Sequence, residues 1–338
     1  MDSLNSSPML LRRRLKSIGL SDPALDAAWP TWWSAAADAS PSARTELKFS
    51  LARKLGLDPR SLLDDNATPK FVWRDEARFK HLLTEDEQEL SAISSFGKSL
   101  ANVLIAATPD SSIRAAVPGA LDLRRMLLKS RPYIRLSDLL SVAWSLTIPV
   151  VHLRVFPCER KRMAAMAVHT KDREAILLGK DSNYPAQIAF YLAHEIGHIA
   201  LGHLKGGEIL VDMDSELESP LNDEEEAAAD RFALELLTGQ PAPVVLTTAK
   251  RYTAKQLANE ILRQAADLQI EPGTLCFCFG YSTGDWARTL AAMPIIYPDA
   301  KPVWNEINNI ALTQLSLDET SADFASYVSA VLGLPGPV

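Results

Sequence analysis

Residues 191–204 read "YLAHEIGHIALGHL", three histidines and one glutamate inside an otherwise apolar run. Ile188, Leu192, Ile196 and Ile199 recur at helical spacing and give the run one apolar face. On such a helix, positions i and i+4 lie one above the other, so His194 and His198 can reach one metal ion. Glu195 is turned about 100° further round the axis. Its carboxylate then falls beside the ion rather than on it, the place of the general base in H-E-x-x-H chemistry. Gly197, inside the motif, costs a helix about 1 kcal/mol relative to alanine, and a close packing contact would account for it.

Two imidazoles leave a metal short of ligands, and the next helical stretch offers one. "EEEAAADRFALELL" spans 224–237. Glu226 is the candidate third ligand, with Asp230 one turn on and free to hold the far nitrogen of a ligand histidine. Glu224 and Glu225 are its alternatives, since acidic residues suit any helix start. Two neutral nitrogens and one carboxylate suit zinc and keep it Lewis-acidic. A structural zinc site takes four protein ligands and has no use for an unligated acid, so Glu195 favours catalysis over a structural or sensory site.

His203 falls one place short of the third histidine of an H-E-x-x-H-x-x-G-x-x-H pattern, where Leu204 stands instead. It reads as a helix cap or packing residue, with a substrate or metal role as the alternative. His81, His152 and His169 have no ligand spacing. Tyr252 and Tyr281 are candidate oxyanion donors, and nothing in the spacing selects between them.

These two linked motifs, His194-Glu195-x-Gly197-His198 followed by Glu226-x-x-Ala229-Asp230-x-Phe232-Ala233-x-x-Leu236-Leu237, resemble the ImmA/IrrE family of zinc metallopeptidases. The resemblance covers about residues 140–270. It departs where the family usually closes the second helix with Met-Pro and this chain has Thr238-Gly239. It implies a gluzincin-like fold, a cytoplasmic setting and cleavage of a regulatory protein. Members cut helix-turn-helix repressors, or act in toxin–antitoxin and stress-response pairs.

The rest of the chain is read around that core. It has 338 residues, 47% hydrophobic and 23% charged, with a formal net charge of −7, which argues against the whole molecule being a nucleic-acid coat but leaves room for one small basic face. Three cysteines, Cys158, Cys276 and Cys278, make no disulfide framework and point to a reducing compartment. The first 20 residues do not read as a signal peptide, and no apolar run approaches the roughly 20 residues of a membrane span.

Residues 1–130 read as an all-helical region, 131–300 as the metallopeptidase domain and 301–338 as a helical extension. The fold class is α+β, with a small sheet packed on the H-E-x-x-H helix. "PVVHLRVF", "MAAMAVHT" and "REAILLG" are the predicted strands. "KGGEILVDMDSELESPLNDEE" reads as a polar loop, and a peptide could add to the sheet beside "REAILLG". Helical patterns are expected again over 78–128. "LKFSLARKLGLDPRSLL" resembles the first two helices of a helix-turn-helix, with Arg12, Arg13, Arg14 and Lys16 as a basic turn nearby. A recognition helix from Pro59 would be short and end on Asp64-Asp65, so partner binding is favoured over DNA. The two tryptophans of "PTWWSAA" are expected in the core.

Overall fold

The computed structural model describes residues 8–73, 77–80, 87–109, 116–159, 163–170, 172–204, 209–213, 224–242 and 253–335. The described residues up to 145 form eight helices and one short strand. They are α1 (Pro8–Lys16), α2 (Asp22–Ala28), α3 (Ala35–Asp38), α4 (Pro41–Leu55), α5 (Pro59–Leu63), β1 (Ala77–Lys80), α6 (Glu87–Ala107), α7 (Ala120–Leu127) and α8 (Leu136–Ser145). Then come β2 (Val150–His152), β3 (Met163–Thr170), β4 (Arg173–Leu178), α9 (Pro185–Ala200), β5 (Ile209–Met213) and α10 (Glu224–Thr238). Helices α11 (Ala254–Leu268), α12 (Pro272–Thr283), α13 (Trp286–Ile296), α14 (Trp304–Gln314) and α15 (Ala322–Leu332) complete the described chain. The fold is α+β.

β3 and β4 are buried on nearly every residue rather than every second one. That pattern belongs to a sheet covered on both faces. Helix α6 lies against β3 and β4 on one side, and α9 against the same strands on the other. α6 is long and apolar enough to cross a bilayer, contrary to the sequence reading, but 78% of its apolar stretch is buried inside the fold. It is the central core helix.

The sheet runs β1-β5-β3-β4-β2, with β3 antiparallel to both neighbours and the two outer pairs parallel. This corrects three expectations. Arg78 begins no helix but lies in β1, which pairs with β5 from Ala77↔Ile209 to Lys80↔Asp212. The supposed polar loop after α9 contains a fully buried strand, β5. "REAILLG" offers no free edge for a peptide, because β4 is bonded on both sides. The outer edge of β2 is occupied too: the Asn308 side chain accepts from His152 N and donates to His152 O, both at 2.8 Å.

One hydrophobic core runs from Leu11 on α1 to Leu332 on α15 and does not break near residue 130. A second cluster joins α11, α12 and α13 through Leu257, Ile261, Leu275, Phe279 and Met293. "TLCFCFGY" thus lies in a helix, α12, started by Pro272 and by the Glu271 side chain accepting from Thr274 N. Cys276 and Cys278 are buried in it, and burial pushes each thiol up to about 12, which makes them inert core residues.

In the N-terminal helices Ser21 caps α2, Ser40 caps α4 and Gly56 ends α4 at φ +69°. A Cβ at Gly56 would stand 2.3 Å from Ser95 O, so glycine is needed for both backbone shape and space. α5 has five residues, and Ser61 and Leu62 are buried in it, which leaves little of it to enter a DNA groove. The basic turn is largely neutralised: Arg12 pairs with Asp22 and Asp26, Lys16 with Asp22, and Arg14 with Asp65. Trp33 packs on the core, but Trp32 is 39% exposed, against expectation. His81 lies outside the described residues.

Candidate metal centre

α9 starts at Pro185, a residue pre-shaped for the first helical turn. It ends where His203 N donates to His198 O and Gly202 turns at φ +70°. Between these limits the His194 and His198 rings lie on one face, their Nε2 atoms 2.9 Å apart. The helix is apolar because it is sandwiched: Ile188, Leu192 and Ile196 are buried in the main core.

α10 packs closely along α9 and brings its first turn to the histidines. Glu226 Oε2 is 3.3 Å from His194 Nε2, and Oε1 is 3.3 Å from His198 Nε2. Of the three consecutive glutamates, Glu226 is the one at the cluster. Glu225 instead accepts from Arg78 at 2.7 Å, and Glu224 is exposed. Asp230 Oδ1 lies 2.9 Å from His194 Nδ1, so that nitrogen donates to the carboxylate and Nε2 faces the cluster.

Gly197 is where the two helices touch. A Cβ there would meet Phe232 Cβ at 3.1 Å and its ring at 3.2 Å. Gly197→Val is therefore expected to destabilise the metal-free protein by about 1–3 kcal/mol, the usual range for overpacking. It should also weaken metal binding, since α10 carries Glu226. Urea unfolding alongside metal titration checks both, and unchanged values would remove this contact from the site's support.

The structure adds two residues to the cluster. Asp212 on β5 puts Oδ2 3.3 Å from His194 Nε2. His194, His198, Asp212 and Glu226 each offer an atom within 4.8 Å of the others. Sequence reading placed Asp212 in a loop. The signal that could have found it is "ILVDM", an apolar, β-branched run in which Leu210 and Asp212 share a face. The other addition is His203, whose Nδ1 is 2.9 Å from His198 Nδ1. It helps to hold the His198 ring with Nε2 inward, a role beyond capping. Burial and the charge of His198 lower its pKa, which suits a neutral acceptor.

The donor set fits a divalent cation. Bonds of about 2.0–2.1 Å in a tetrahedron put neighbouring donors about 3.3 Å apart, and three of the nitrogen–oxygen spacings have that value. Electrostatics agree. Burial alone would lower the His194 pKa, yet Asp230, Glu226, Asp212 and Glu195 together hold it well above its ordinary value. Burial alone would raise Glu226, yet the two imidazoles hold it well below the usual carboxylate range. In the metal-free state, positive charge is drawn to the place a cation would take.

Glu195 is different. It is 1% exposed, and neither carboxylate oxygen finds a donor among the described residues. Burial, then the negative charge of Asp212, raise its pKa well above the ordinary value, with His194 opposing.

The remaining candidates lie elsewhere. Tyr281 on α12 is 76% exposed and packs edge-on against Trp286, with ring centroids 4.7 Å apart. Tyr252 lies outside the described residues. His152 bonds to Leu153 O and Lys180 O, and His169 to Glu174, away from the cluster. A pocket of about 140 Å³ opens one turn before His194, between Phe190, Tyr191, Leu237, Phe277 and Trp286. The Phe190 and His194 rings are 6.4 Å apart. A larger cavity of about 920 Å³, lined by Trp32, Arg53, Trp73 and Phe324, includes no residue of the cluster.

No curated protein and no solved structure matches the chain. A family model does: Peptidase_M78, described as the IrrE N-terminal-like domain, matches residues 151–261. The clustered side chains, from His194 to Asp230, all fall inside that third of the chain, and the family points to metallopeptidase chemistry. Residues 151–261, about a third of the chain, are thus similar to the IrrE N-terminal-like domain.

Proposed function

We propose that the chain is a zinc-dependent endopeptidase that cleaves a regulatory protein. The observation that carries this reading is Glu195, a buried carboxylate without a donor, one residue from the cluster and not needed to complete it. When bound, a divalent ion supplies the Lewis acidity that makes water more acidic and polarises a peptide carbonyl. Glu195 takes the proton of the attacking water and returns it to the leaving amine nitrogen. Asp230 and His203 keep the two imidazoles presenting Nε2. The pocket beside Phe190 compares with a cavity of about 150 Å³ that holds benzene, so it has room for one large apolar side chain of a substrate.

The family resemblance directs the choice of substrate to a helix-turn-helix repressor or an antitoxin-like partner, in a bacterial stress, mobile-element or toxin–antitoxin circuit in the cytoplasm. The N-terminal helices would select that partner. DNA is the weaker alternative, given the five-residue α5 and the ion-paired basic turn.

A second reading, a partner-binding regulator with a structural or sensory zinc site, is favoured by one observation: Asp212 could supply a fourth protein ligand. Incubation of the zinc-loaded chain with a candidate repressor decides between them. The proposal expects one discrete cut that a chelator abolishes and zinc restores. Binding without a cut, for a repressor that disappears in cells only when this chain is present and activated, would favour the regulator.

A further inference from the structure

We infer that Asp212 is a fourth protein ligand that keeps the resting site closed, and that strand β1 of the N-terminal region holds it there. This deepens the metallopeptidase reading and rests on it. Asp212 reaches the cluster from β5, with Oδ2 as close to His194 Nε2 as Glu226 Oε2 is, both at 3.3 Å. It is buried on a strand rather than swinging on a loop. A metal with four protein donors has no position left for a reacting group, whereas a catalytic site keeps one open.

The strand of Asp212 is held on both sides, by β3 with Ala165 opposite Asp212 and by β1 at the sheet edge, and only the β1 side can be uncovered without opening the sheet. β1 pairs with β5 along the whole of 209–212, and Lys80 stands opposite Asp212 in the register. Arg78, on the same short strand, donates to Glu225 Oε2 at 2.7 Å and to His203 O. Glu225 is next to the ligand Glu226 on α10, and His203 supports the ligand His198 at the end of α9. Four residues from before position 81 therefore tie together the three elements that carry ligands, α9, α10 and β5. β1 also covers the edge of β5, to which an extended peptide could otherwise add. A partner that draws β1 away from β5 would loosen Asp212 and uncover that edge in one movement. The N-terminal region thus acts as the control element of the site, not only as its recognition surface.

The test uses cobalt(II) as a spectroscopic substitute and acetohydroxamate, a small metal-binding anion, as the probe of an open position. The full chain should bind one cobalt with the strong visible bands of a four-coordinate site and respond weakly to acetohydroxamate. Asp212→Ala should change that spectrum and bind acetohydroxamate at least about tenfold more tightly, because the closed fraction no longer taxes binding. Arg78→Ala should keep cobalt affinity and still raise acetohydroxamate affinity severalfold. Asp212→Ala with the parent's spectrum and probe affinity would overturn the inference, as would a parent that already binds the probe tightly. If Asp212→Ala fails to fold, Arg78→Ala decides, and no gain in probe affinity there rejects the role of β1. None of these readings needs a substrate. A chain that behaves this way yet cuts nothing loses the peptidase reading and keeps the closed site.

Discussion

Glu195→Gln abolishes most peptide cleavage while leaving the metal bound: turnover is expected to fall by about 100- to 10,000-fold, the range for losing a general acid–base group. Glutamine fills the same space but cannot accept the water's proton. The variant also has a stability signature that needs no substrate. In the metal-free protein the Glu195 pKa is raised, by burial and then by Asp212. The folded chain therefore keeps a proton that the unfolded chain has already lost, and folding weakens as pH rises through that interval. Glutamine does not titrate, so metal-free Glu195→Gln should lose this decline and melt no lower than its parent at neutral pH. Thermal melts from pH 5 to 8, with a cleavage assay, check both halves. Full activity in the variant would end the general-base assignment.

Glu226→Ala should cost more than about 100-fold in zinc affinity, since even groups that only orient a ligand cost about 10- to 100-fold. The pH dependence has the opposite sign to that of Glu195. In the metal-free protein His194 and His198 hold the Glu226 carboxylate below its usual range. That stabilisation is present above the unfolded carboxylate's pKa and is lost as pH falls towards the folded value. Glu226→Ala removes it and leaves the two buried imidazoles facing each other with one acid fewer, so the metal-free variant should melt below its parent at neutral pH. Glu225→Ala is the control and should keep parental zinc affinity. Equal affinity in both variants would remove Glu226 from the ligand set and leave Asp212 as the acidic ligand.

The site was legible where helical periodicity organised it. His194 and His198 share a face because they are four apart, and Glu226 with Asp230 repeats that spacing on the next helix. These relations are local, and local sequence carries them. Asp212 was missed because its strand is short, polar at its end and followed by acidic residues. It is a strand only through partners at 77–80 and 163–168, far away in the chain. β1 was missed for the same reason: four residues with no helix of their own are fixed by pairing with β5. "TLCFCFGY" carried the opposite ambiguity. An apolar run buried on all sides has no period to read, and only its neighbours α11 and α13 decide that it coils. The zinc-type chemistry could thus be read from two helices, whereas what holds the site shut depends on long-range pairing.

The meeting of α4 with α15 bears on how the protein is made. Lys54, buried at the end of α4, donates to Ala28 O and to Asp323 Oδ1 at 2.7 Å. Tyr327, also buried, gives its hydroxyl to Lys54 O, 273 positions earlier in the chain. Chains are synthesised from the N-terminus and fold as their partners emerge. α4 can settle on α5 and α6 early, but the part of α2 that packs on α15 stays uncovered until α15 has been made. During that interval the nascent chain already carries both histidines and Glu226, while the helices that would choose its partner are still unfinished. A chain assembled in this order forms the buried contacts of Lys54 and Tyr327 only once α15 is in place.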